Sequence, residues 1–242
     1  MMIHRSATMP PRVAAATLVN GRRGGDTTAT MTLDASILAG KFIVLDGPDG
    51  AGKSTQLASL ADFLRQTGVE LVRTRDPGGT VIGDRIRQIL LDRSHEKMSI
   101  ACELMLYMAS RAQLVAEVIA PALRAGCCVL CDRYISSTVA YQGAGGADVE
   151  AILSAARVAV GDVWPDLTVI LDIDPAAGLA RLTGAKDRME AKNLPFHRRV
   201  RELFLKQAAD HPQRFAVLDA SAGTEEVQRR LRETIAGHPW GE

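Results

Sequence analysis

The stretch LDGPDGAGKSTQ, from Leu45 to Gln56, fits the pattern G-x-x-x-x-G-K-[ST] of a phosphate-binding loop, or P-loop. Its glycines let the backbone curl so that successive N–H groups face the phosphates of a nucleotide. An apolar run precedes the loop and a segment of helical period follows it, so the positive end of a helix points at the same phosphates. This context favours a P-loop over a chance glycine-rich turn.

The loop also supplies side chains for phosphate chemistry. Lys53 is expected to bridge the β- and γ-phosphates, and the Ser54 hydroxyl is expected to bind Mg²⁺. The residues predicted to bind the nucleotide are Gly47, Pro48, Asp49, Gly50, Ala51, Gly52, Lys53, Ser54 and Thr55. Because such loops occur in motors, switches, transporters and kinases, the loop alone does not identify the reaction.

Short apolar runs alternate with longer segments of helical period after Ala39, as strand–helix–strand construction requires. The predicted strands are 41–46, 69–74, 127–131, 167–173 and 215–218. The predicted helices are 53–67, 80–92, 98–125, 133–142, 147–160, 175–183, 190–210 and 224–236. The nearly continuous hydrophobicity of the strands suits parallel strands covered on both faces. We therefore predict the three-layer α/β P-loop NTPase fold, with a five-stranded parallel sheet and helices on both faces.

Composition indicates one ordinary globular domain. The chain has 242 residues, of which 47% are hydrophobic and 24% charged, and a formal net charge of +1. This length can bury one substantial core, and the charge provides no overall field that attracts nucleic acid or a membrane. No run of about 18 apolar residues is present, so no membrane span is predicted. We expect neither nucleic acid nor a membrane as a partner.

The four cysteines lie in apolar surroundings rather than in a spaced disulfide framework, which favours a reducing compartment and a cytoplasmic protein. Cys128 and Cys131 form a CxxC motif. No further Cys or His follows at the spacing of a zinc site, so we interpret the cysteines as core residues.

Residues 1–38 differ from the rest of the chain. Four arginines precede the first acid, Asp26, amid Ala, Thr and Gly with little apolar periodicity. We predict a disordered extension over 1–38 and one P-loop domain over 39–242. An Arg-rich, acid-poor start is also a feature of organellar transit peptides, but a dispensable extension or translation from Met31 is the favoured interpretation.

Ligands of an open parallel sheet bind beyond the carboxyl ends of its strands. The third strand ends in VLCDRY, where Asp132 is the acid expected to hold Mg²⁺ directly or through water. Arg133 beside it is placed to bind a second phosphate. Such a pair can merely cap the next helix, but the P-loop favours the functional interpretation.

The second strand ends in TRDPGGT, whose Pro-Gly-Gly predicts a tight turn across from the P-loop. A plain turn needs neither Arg75 nor Asp76. Farther along, Tyr107 and Arg111 are four residues apart on a predicted helix, so a ring and a guanidinium share one face and can bind a base. Taken alone, that pair is better explained as the core edge and the solvated face of an amphipathic helix.

From about Gly40 to Ile235 the chain closely resembles bacterial thymidylate kinases. The segments that carry the resemblance are GPDGAGKSTQ, RDPGGT, IRQILL, LYMASRAQL, CDRYISSTVAYQG, PDLTVILDI and DRMEAKNLPFHRRVR. RDPGGT, DRY and AYQG are specific to that family among P-loop kinases. The resemblance implies transfer of the γ-phosphoryl group of ATP to dTMP, giving dTDP for dTTP synthesis, with Mg²⁺ as cofactor and a homodimeric enzyme.

The resemblance also implies roles for single residues. Arg75, Arg87 and Arg133 match residues around the dTMP phosphate. Tyr107 matches the aromatic residue that stacks on thymine, while Tyr141 matches the ring that leaves little room for a ribose 2′-OH. Arg111, Thr138 and Gln142 match groups that meet the base edge. The predicted substrate-binding residues are Arg75, Asp76, Arg87, Tyr107, Arg111, Arg133, Thr138, Tyr141 and Gln142.

The predicted catalytic residues are Asp49, Lys53, Arg133 and Arg188. Asp49 matches the acid of the family's P-loop, which helps to orient the acceptor phosphate and a cationic partner. Gly50 stands where eukaryotic members have a P-loop arginine, and enterobacterial members use a lid arginine instead. The lid corresponds to about 181–190, which looks short, and Arg188 is the first candidate with Arg181 behind it. Transfer of this kind needs positioning and charge neutralisation but no covalent intermediate.

Three alternatives remain open at this point. A GTPase would need Asn-Lys-x-Asp after a later strand, and VILDIDPAAG does not supply it. An adenylate or cytidylate kinase shares the P-loop and the lid, but the Arg-Asp-Pro-Gly-Gly sequence argues against both. A silent nucleotide-binding protein is disfavoured because Lys53, Ser54 and Asp132 are all present.

Overall fold

The computed structural model describes residues 34–241. Its five parallel strands lie in the order β2-β3-β1-β4-β5. They are β1 Phe42–Asp46, β2 Leu71–Arg75, β3 Cys128–Asp132, β4 Leu167–Asp172 and β5 Phe215–Asp219. All five predicted strands are confirmed, with ends that differ from the prediction by two residues at most.

The helices lie on both faces of this sheet, as predicted. Within the described residues they are α1 Lys53–Gln66, α2 Val81–Leu91, α3 Ile100–Leu114, α4 Ala120–Arg124, α5 Ile135–Ala144, α6 Val149–Val160, α7 Pro175–Arg181, α8 Leu194–Asp210 and α9 Thr224–Gly237. Alternate residues of β1 enter two separate cores. Phe42 and Val44 pack with α3 and α6, whereas Ile43 and Leu45 pack with α1 and α9. The period of two along a strand therefore produces the three layers.

The predicted helix over 98–125 is interrupted by a π-helical turn, Val115–Ile119, between α3 and α4. Pro121 has no N–H, and its ring disfavours the regular bonding of the preceding turn. Here the Ala120 N–H donates to the Val115 carbonyl, five residues earlier. The wider turn is thus an adjustment of the helix next to a proline.

Four predicted helix starts, at 98, 133, 147 and 190, precede the observed starts by two to four residues, and two of these differences have a local explanation. Helix α5 begins at Ile135 and not at 133, because Arg133 has a φ of 67°, which a right-handed helix does not admit. Helix α8 begins at Leu194 and not at 190, because the Asn193 side chain accepts a bond from the Phe196 N–H at 3.0 Å and caps the helix there.

The domain begins before residue 39. Residues 1–33 of the predicted extension lie outside the described residues. Ala35–Leu38 form a 3-10 helix that follows Asp34, and Leu38 is fully buried in the core shared by α1 and α9. The end of the predicted extension is therefore wrong, because Leu38 is a core residue.

Cys128 and Cys131 are buried in β3, whereas Cys102 is exposed on α3. Across residues 34–241, no group of three or more His, Cys, Asp and Glu residues is arranged to hold a metal ion. None of the helices in that range has both the length and the apolar character needed to cross a membrane.

Candidate active site

A cleft of about 850 Å³ lies at the carboxyl ends of β1, β2 and β3. Its walls are the loops after these strands and after β5, helices α2, α3 and α5, and the segment after α7. This is the edge at which ligands of an open parallel sheet bind. Nearly all predicted site residues line the cleft. The exceptions are Gly47, Pro48 and Arg188.

The P-loop turns tightly between β1 and α1. Gly47, Gly50 and Gly52 have φ values of 132°, 75° and 84°, which side chains rarely tolerate. A β-carbon on Gly50 would lie 1.9 Å from the Gly178 carbonyl oxygen of α7, so only glycine fits. Helix α1 starts at Lys53, and its first N–H groups point at the same loop.

Lys53 lies back across the loop. Its Nζ donates to the carbonyl oxygens of Gly47 at 2.9 Å and Pro48 at 2.7 Å. Burial and the charge of Arg133 lower the pKa of Lys53 to about 8, although Asp49 opposes the change. A polyphosphate over the loop would supply the negative charge that favours the ammonium form.

Ser54 and Asp132 meet from different strand ends. The Ser54 hydroxyl donates to Asp132 Oδ2 at 3.2 Å. Mg²⁺ takes oxygen ligands, keeps several waters, and commonly uses only one or two protein oxygens together with substrate phosphates. A hydroxyl beside a single carboxylate therefore fits Mg²⁺ that arrives with a nucleotide, and does not fit a metal held by protein ligands alone.

Arg133 lies between the P-loop and α5. Its Nη1 donates to the Gly47 carbonyl at 3.1 Å and Ser137 Oγ at 3.0 Å, and its Nη2 donates to Asp49 Oδ1 at 2.6 Å. The guanidinium lies 5.2 Å from the centre of the Tyr141 ring. A non-glycine residue with positive φ is costly and persists where its surroundings hold it, often at functional sites.

Asp46 is a fully buried carboxylate under this network. It accepts bonds from Ser136 Oγ at 2.6 Å, Ser137 Oγ at 2.7 Å and the Gly47 N–H at 2.9 Å. These bonds compensate for the loss of water around a buried charge. Asp46 therefore holds the start of α5 against the P-loop.

Arginines crowd the space beside the P-loop. Arg87 Nη1 donates to the Pro77 carbonyl at 3.0 Å, and Arg75 Nη2 pairs with the exposed Asp84 at 3.1 Å. Burial, together with the charges of Arg75 and Arg133, lowers the pKa of Arg87. Cations that repel one another in this way attract an anion. The three predicted phosphate-binding arginines are therefore brought together.

Helices α3 and α5 form the far wall and are joined by two polar bridges. Arg111 Nη2 donates to Thr138 Oγ1 at 2.8 Å, and Gln142 Nε2 donates to Glu103 Oε1 at 2.6 Å. Tyr107 lies between Glu103 and Arg111 on the same face of α3. An aromatic wall with polar groups at both ends suits a planar base.

Arg111 is fully buried, so its interpretation as part of a solvated helix face is wrong. Its Nε donates to Asp76 Oδ2 at 2.5 Å, and its Nη2 also donates to the Tyr134 carbonyl at 3.3 Å. Burial raises the pKa of Asp76 even though Arg111 acts in the opposite direction. Asp76 therefore orients Arg111, while its own Oδ1 has no hydrogen-bond partner within the described part of the chain.

Arg188 does not reach the cleft, and its predicted catalytic role is not supported. It is 4% exposed, its Nε donates to the Leu90 carbonyl at 2.8 Å, and its Nη2 lies 2.5 Å from Glu103 Oε2. The guanidinium is held where the last carbonyls of α2 need donors. Arg181 does line the cleft, with its Nη1 donating to the Ala220 carbonyl at 3.0 Å.

Sequence reasoning missed two residues of this site, Glu103 and His197. Glu103 precedes Tyr107 by four residues, so extending the helical spacing by one turn would have found it. His197 of α8 is buried, with Nδ1 at 3.9 Å from Asp49 Oδ2. Burial opposes ionisation of Asp49, but Arg133 and then Lys53 outweigh it and keep the pKa of Asp49 below its usual value. No local pattern connects His197 with the P-loop.

Comparisons with known proteins point to one family. A family model described as thymidylate kinase matches residues 45–231. The chain is 48% identical over 204 residues to a thymidylate kinase of Deinococcus radiodurans, covering 82% of this chain and 98% of the relative. It is 45% identical over 203 residues to a thymidylate kinase of Pseudomonas entomophila, covering 83% of this chain and 97% of that relative. A crystal structure of thymidylate kinase from Ehrlichia chaffeensis matches with a TM-score of 0.68 and 30% sequence identity. The match covers 81% of this chain and 98% of that one.

Proposed function

The chain belongs to the thymidylate kinase family, whose reaction is the ATP-dependent phosphorylation of dTMP to dTDP, and we propose how its cleft performs that transfer. One observation carries the proposal. A P-loop with Lys53 and a slot for a planar base lie in one cleft, and Arg133 lies between them. Donor and acceptor can therefore meet without leaving the protein.

ATP binds over the P-loop. The N–H groups of the loop and of the start of α1 bind its phosphates, and Lys53 exchanges the carbonyls of Gly47 and Pro48 for phosphate oxygens. Ser54 and Asp132 would hold Mg²⁺, and the bound ion would neutralise charge on the phosphates of ATP. The 3.2 Å contact between their oxygens supports this assignment.

The phosphate of dTMP binds among the arginines. Arg87 and Arg133 are the inner pair, and Arg75 joins them by releasing the exposed Asp84. Asp49 keeps Arg133 oriented through its 2.6 Å bond. An exposed ion pair contributes little to stability, so its exchange for a doubly charged phosphate is inexpensive.

The thymine ring lies between α3 and α5. Tyr107 stacks on its face, and an Nη1 N–H of Arg111, with Thr138 and Gln142, meets its edge. Tyr141 packs under Arg133, close to where the sugar must pass, and excludes a 2′-OH. Asp76 Oδ1, an acceptor without a partner among residues 34–241, is available to the sugar.

Transfer needs no covalent enzyme intermediate. An oxygen of the dTMP phosphate attacks the γ-phosphorus of ATP, and the bond from that phosphorus to the ADP oxygen breaks on the opposite side. Lys53 and Arg133 stabilise the charge on the transferring group. Arg181 lines the cleft and is the lid arginine that we assign to this charge in place of Arg188.

An assay of ADP release with Mg·ATP tests the substrate directly. We expect rapid turnover with dTMP, slower turnover with dUMP, and little with dCMP, AMP or GMP. Lys53→Ala should abolish turnover while the melting temperature stays near that of the unaltered chain. Preference for AMP or dCMP would instead favour an adenylate or cytidylate kinase.

We also propose a homodimer that forms through α2, α3 and α6. Large exposed apolar side chains lie on these helices, and α3 packs against both of the others, so they share one side of the domain. They are Val81, Ile82, Ile89, Ile100, Met105 and Val158. A self-complementary apolar face is what a two-fold interface uses. Leu114 and Ile119, farther along the same helical segment, are buried in the core of the domain and take no part in this face.

Light scattering tests the dimer. The unaltered chain should have twice the mass of one chain, and Met105→Glu should reduce it to the mass of one chain. Val217→Glu, which changes an exposed valine of β5 outside that face, should leave the dimer intact. A single-chain mass for the unaltered protein at micromolar concentration would refute the proposal.

A further inference from the structure

Glu103 is a buried carboxylate with no role in the transfer step described above, and both of its oxygens are engaged. Oε1 accepts a bond from Gln142 Nε2 at 2.6 Å, and Oε2 lies 2.5 Å from Arg188 Nη2. Three segments that are distant in sequence therefore converge on one side chain: α3, α5 and the lid segment around Arg188.

The chemistry of Glu103 determines how the Gln142 amide faces. An ionised carboxylate only accepts hydrogen bonds, so the amide must turn its NH₂ group toward it. Gln142 is 1% exposed and lines the cleft, so it has no room to exchange this bond for water. Its Oε1, the acceptor, is thereby directed away from Glu103.

We propose that Glu103 is a positioning residue that sets base specificity by fixing the Gln142 amide with its oxygen toward the base. This rests on the placement of the base between α3 and α5 proposed above. Thymine has a hydrogen on N3, which the Gln142 oxygen accepts. Cytosine has a lone pair on N3, so two acceptors would face each other in a buried site and neither would be satisfied.

Arg188 explains why Glu103 stays in place. Its Nη2 forms an ion pair with Oε2 without the geometry of a hydrogen bond, and its Nε donates to the Leu90 carbonyl at the end of α2. The cation beside Oε2 and the Gln142 bond to Oε1 together hold the carboxylate in one position. The residue that sequence reasoning assigned to catalysis therefore acts on the acceptor site, through Glu103.

Glu103→Gln tests this orientation with little change in shape. Arg188 donates only, so it should hold the oxygen of the new amide, which leaves the new NH₂ group facing Gln142. Gln142 must then rotate and present its own NH₂ group to the base. An NH₂ donor then faces the N3–H donor of thymine, with which it cannot bond, whereas it can donate to the N3 lone pair of cytosine.

We expect Glu103→Gln to lower kcat/KM for dTMP by about tenfold or more. The dTMP/dCMP preference, which is the ratio of the two kcat/KM values, should fall by at least as much. One mismatched hydrogen bond in a buried site commonly changes kcat/KM by a factor of about ten or more. The KM for ATP should stay within about twofold of its starting value, because the donor site is untouched. Glu117→Gln removes an exposed carboxylate from the turn that follows α3, where it bonds only Gln113, and should change neither ratio.

Glu103→Asp is the second variant and keeps the charge beside Arg188. Its carboxylate is one methylene shorter and withdraws from Gln142, so the dTMP/dCMP preference should narrow without reversal. An unchanged preference in a folded Glu103→Gln, or in Glu103→Asp if the first variant fails to fold, would overturn the proposal. Absence of dTMP turnover in the unaltered chain would instead refute the proposed function.

Discussion

Arg111 and Asp76 form a charge pair inside the protein, with side-chain exposures of 1% and 0%. Such a pair gains little over apolar packing, but loss of one partner leaves a buried charge without compensation. Arg111 also donates to Thr138 and so holds α5. Its contacts thus serve the stability of the domain as well as the proposed base site.

Arg111→Ala should lower the free energy of unfolding by about 3–5 kcal/mol, because Asp76 loses its partner. Arg229→Ala is the matched control, since Arg229 pairs with two glutamates on the exposed face of α9 and should leave the urea midpoint nearly unchanged. Urea unfolding measures both. Equal effects of the two substitutions would show that the Arg111 pair is not a buried charge network.

The roles of residues within one contiguous sequence motif could be predicted residue by residue. Lys53 and Ser54 follow from the spacing of the P-loop, because the backbone of that loop places them. Glu103 and His197 were missed because their partners, Gln142 and Asp49, come from other elements and are brought near only by packing.

At the scale of elements, the P-loop and α7 are in direct contact through two glycines. A β-carbon on Gly178 would lie 2.4 Å from the Asp49 carbonyl oxygen, and one on Gly50 would meet Gly178 in turn. The first turn of α7 therefore fixes the position of the loop.

Gly178→Ala should displace the P-loop, raise the KM for ATP by about tenfold and cost about 1–3 kcal/mol of stability through overpacking. The reason is steric, because Gly178 has ordinary helical backbone angles that alanine accepts. Gly237→Ala near the end of α9 is the control and should keep the starting KM, because among residues 34–241 the added carbon meets nothing within 4 Å beyond its own stretch of helix. Steady-state kinetics measures the KM for ATP of both variants. An unchanged KM in Gly178→Ala would contradict the proposed effect of the contact between Gly178 and the P-loop.

The strands were predictable because buried parallel strands are continuous apolar runs. Helix starts were harder to predict, because they depend on backbone angles such as the positive φ of Arg133. The bond from Arg133 to Asp49 explains that angle, and these two residues are distant in sequence. The lid was the weakest prediction, since the direction of Arg188 depends on Glu103 and Leu90.

At the scale of the whole molecule, the start of the domain is a testable boundary. A chain that begins at Met31 keeps Leu38 and should match the full chain in melting temperature and turnover. A chain that begins at Gly40 lacks this fully buried leucine and should lose about 1.5–3 kcal/mol. Thermal melting compares them, and equal melting temperatures for the two shortened chains would contradict the assignment of Leu38 to the core.

The central claim is that ATP and dTMP occupy two ends of one cleft in line for transfer. A compound in which five phosphates join the 5′-oxygens of adenosine and thymidine would span both ends. Because the second half then binds at high effective concentration, calorimetry should show one molecule per chain, bound about 10²-fold or more tighter than ATP or dTMP alone. Lys53→Met and Gln142→Leu should each weaken it, and a two-phosphate linker should lose the gain. Binding no tighter than ATP alone would contradict the account.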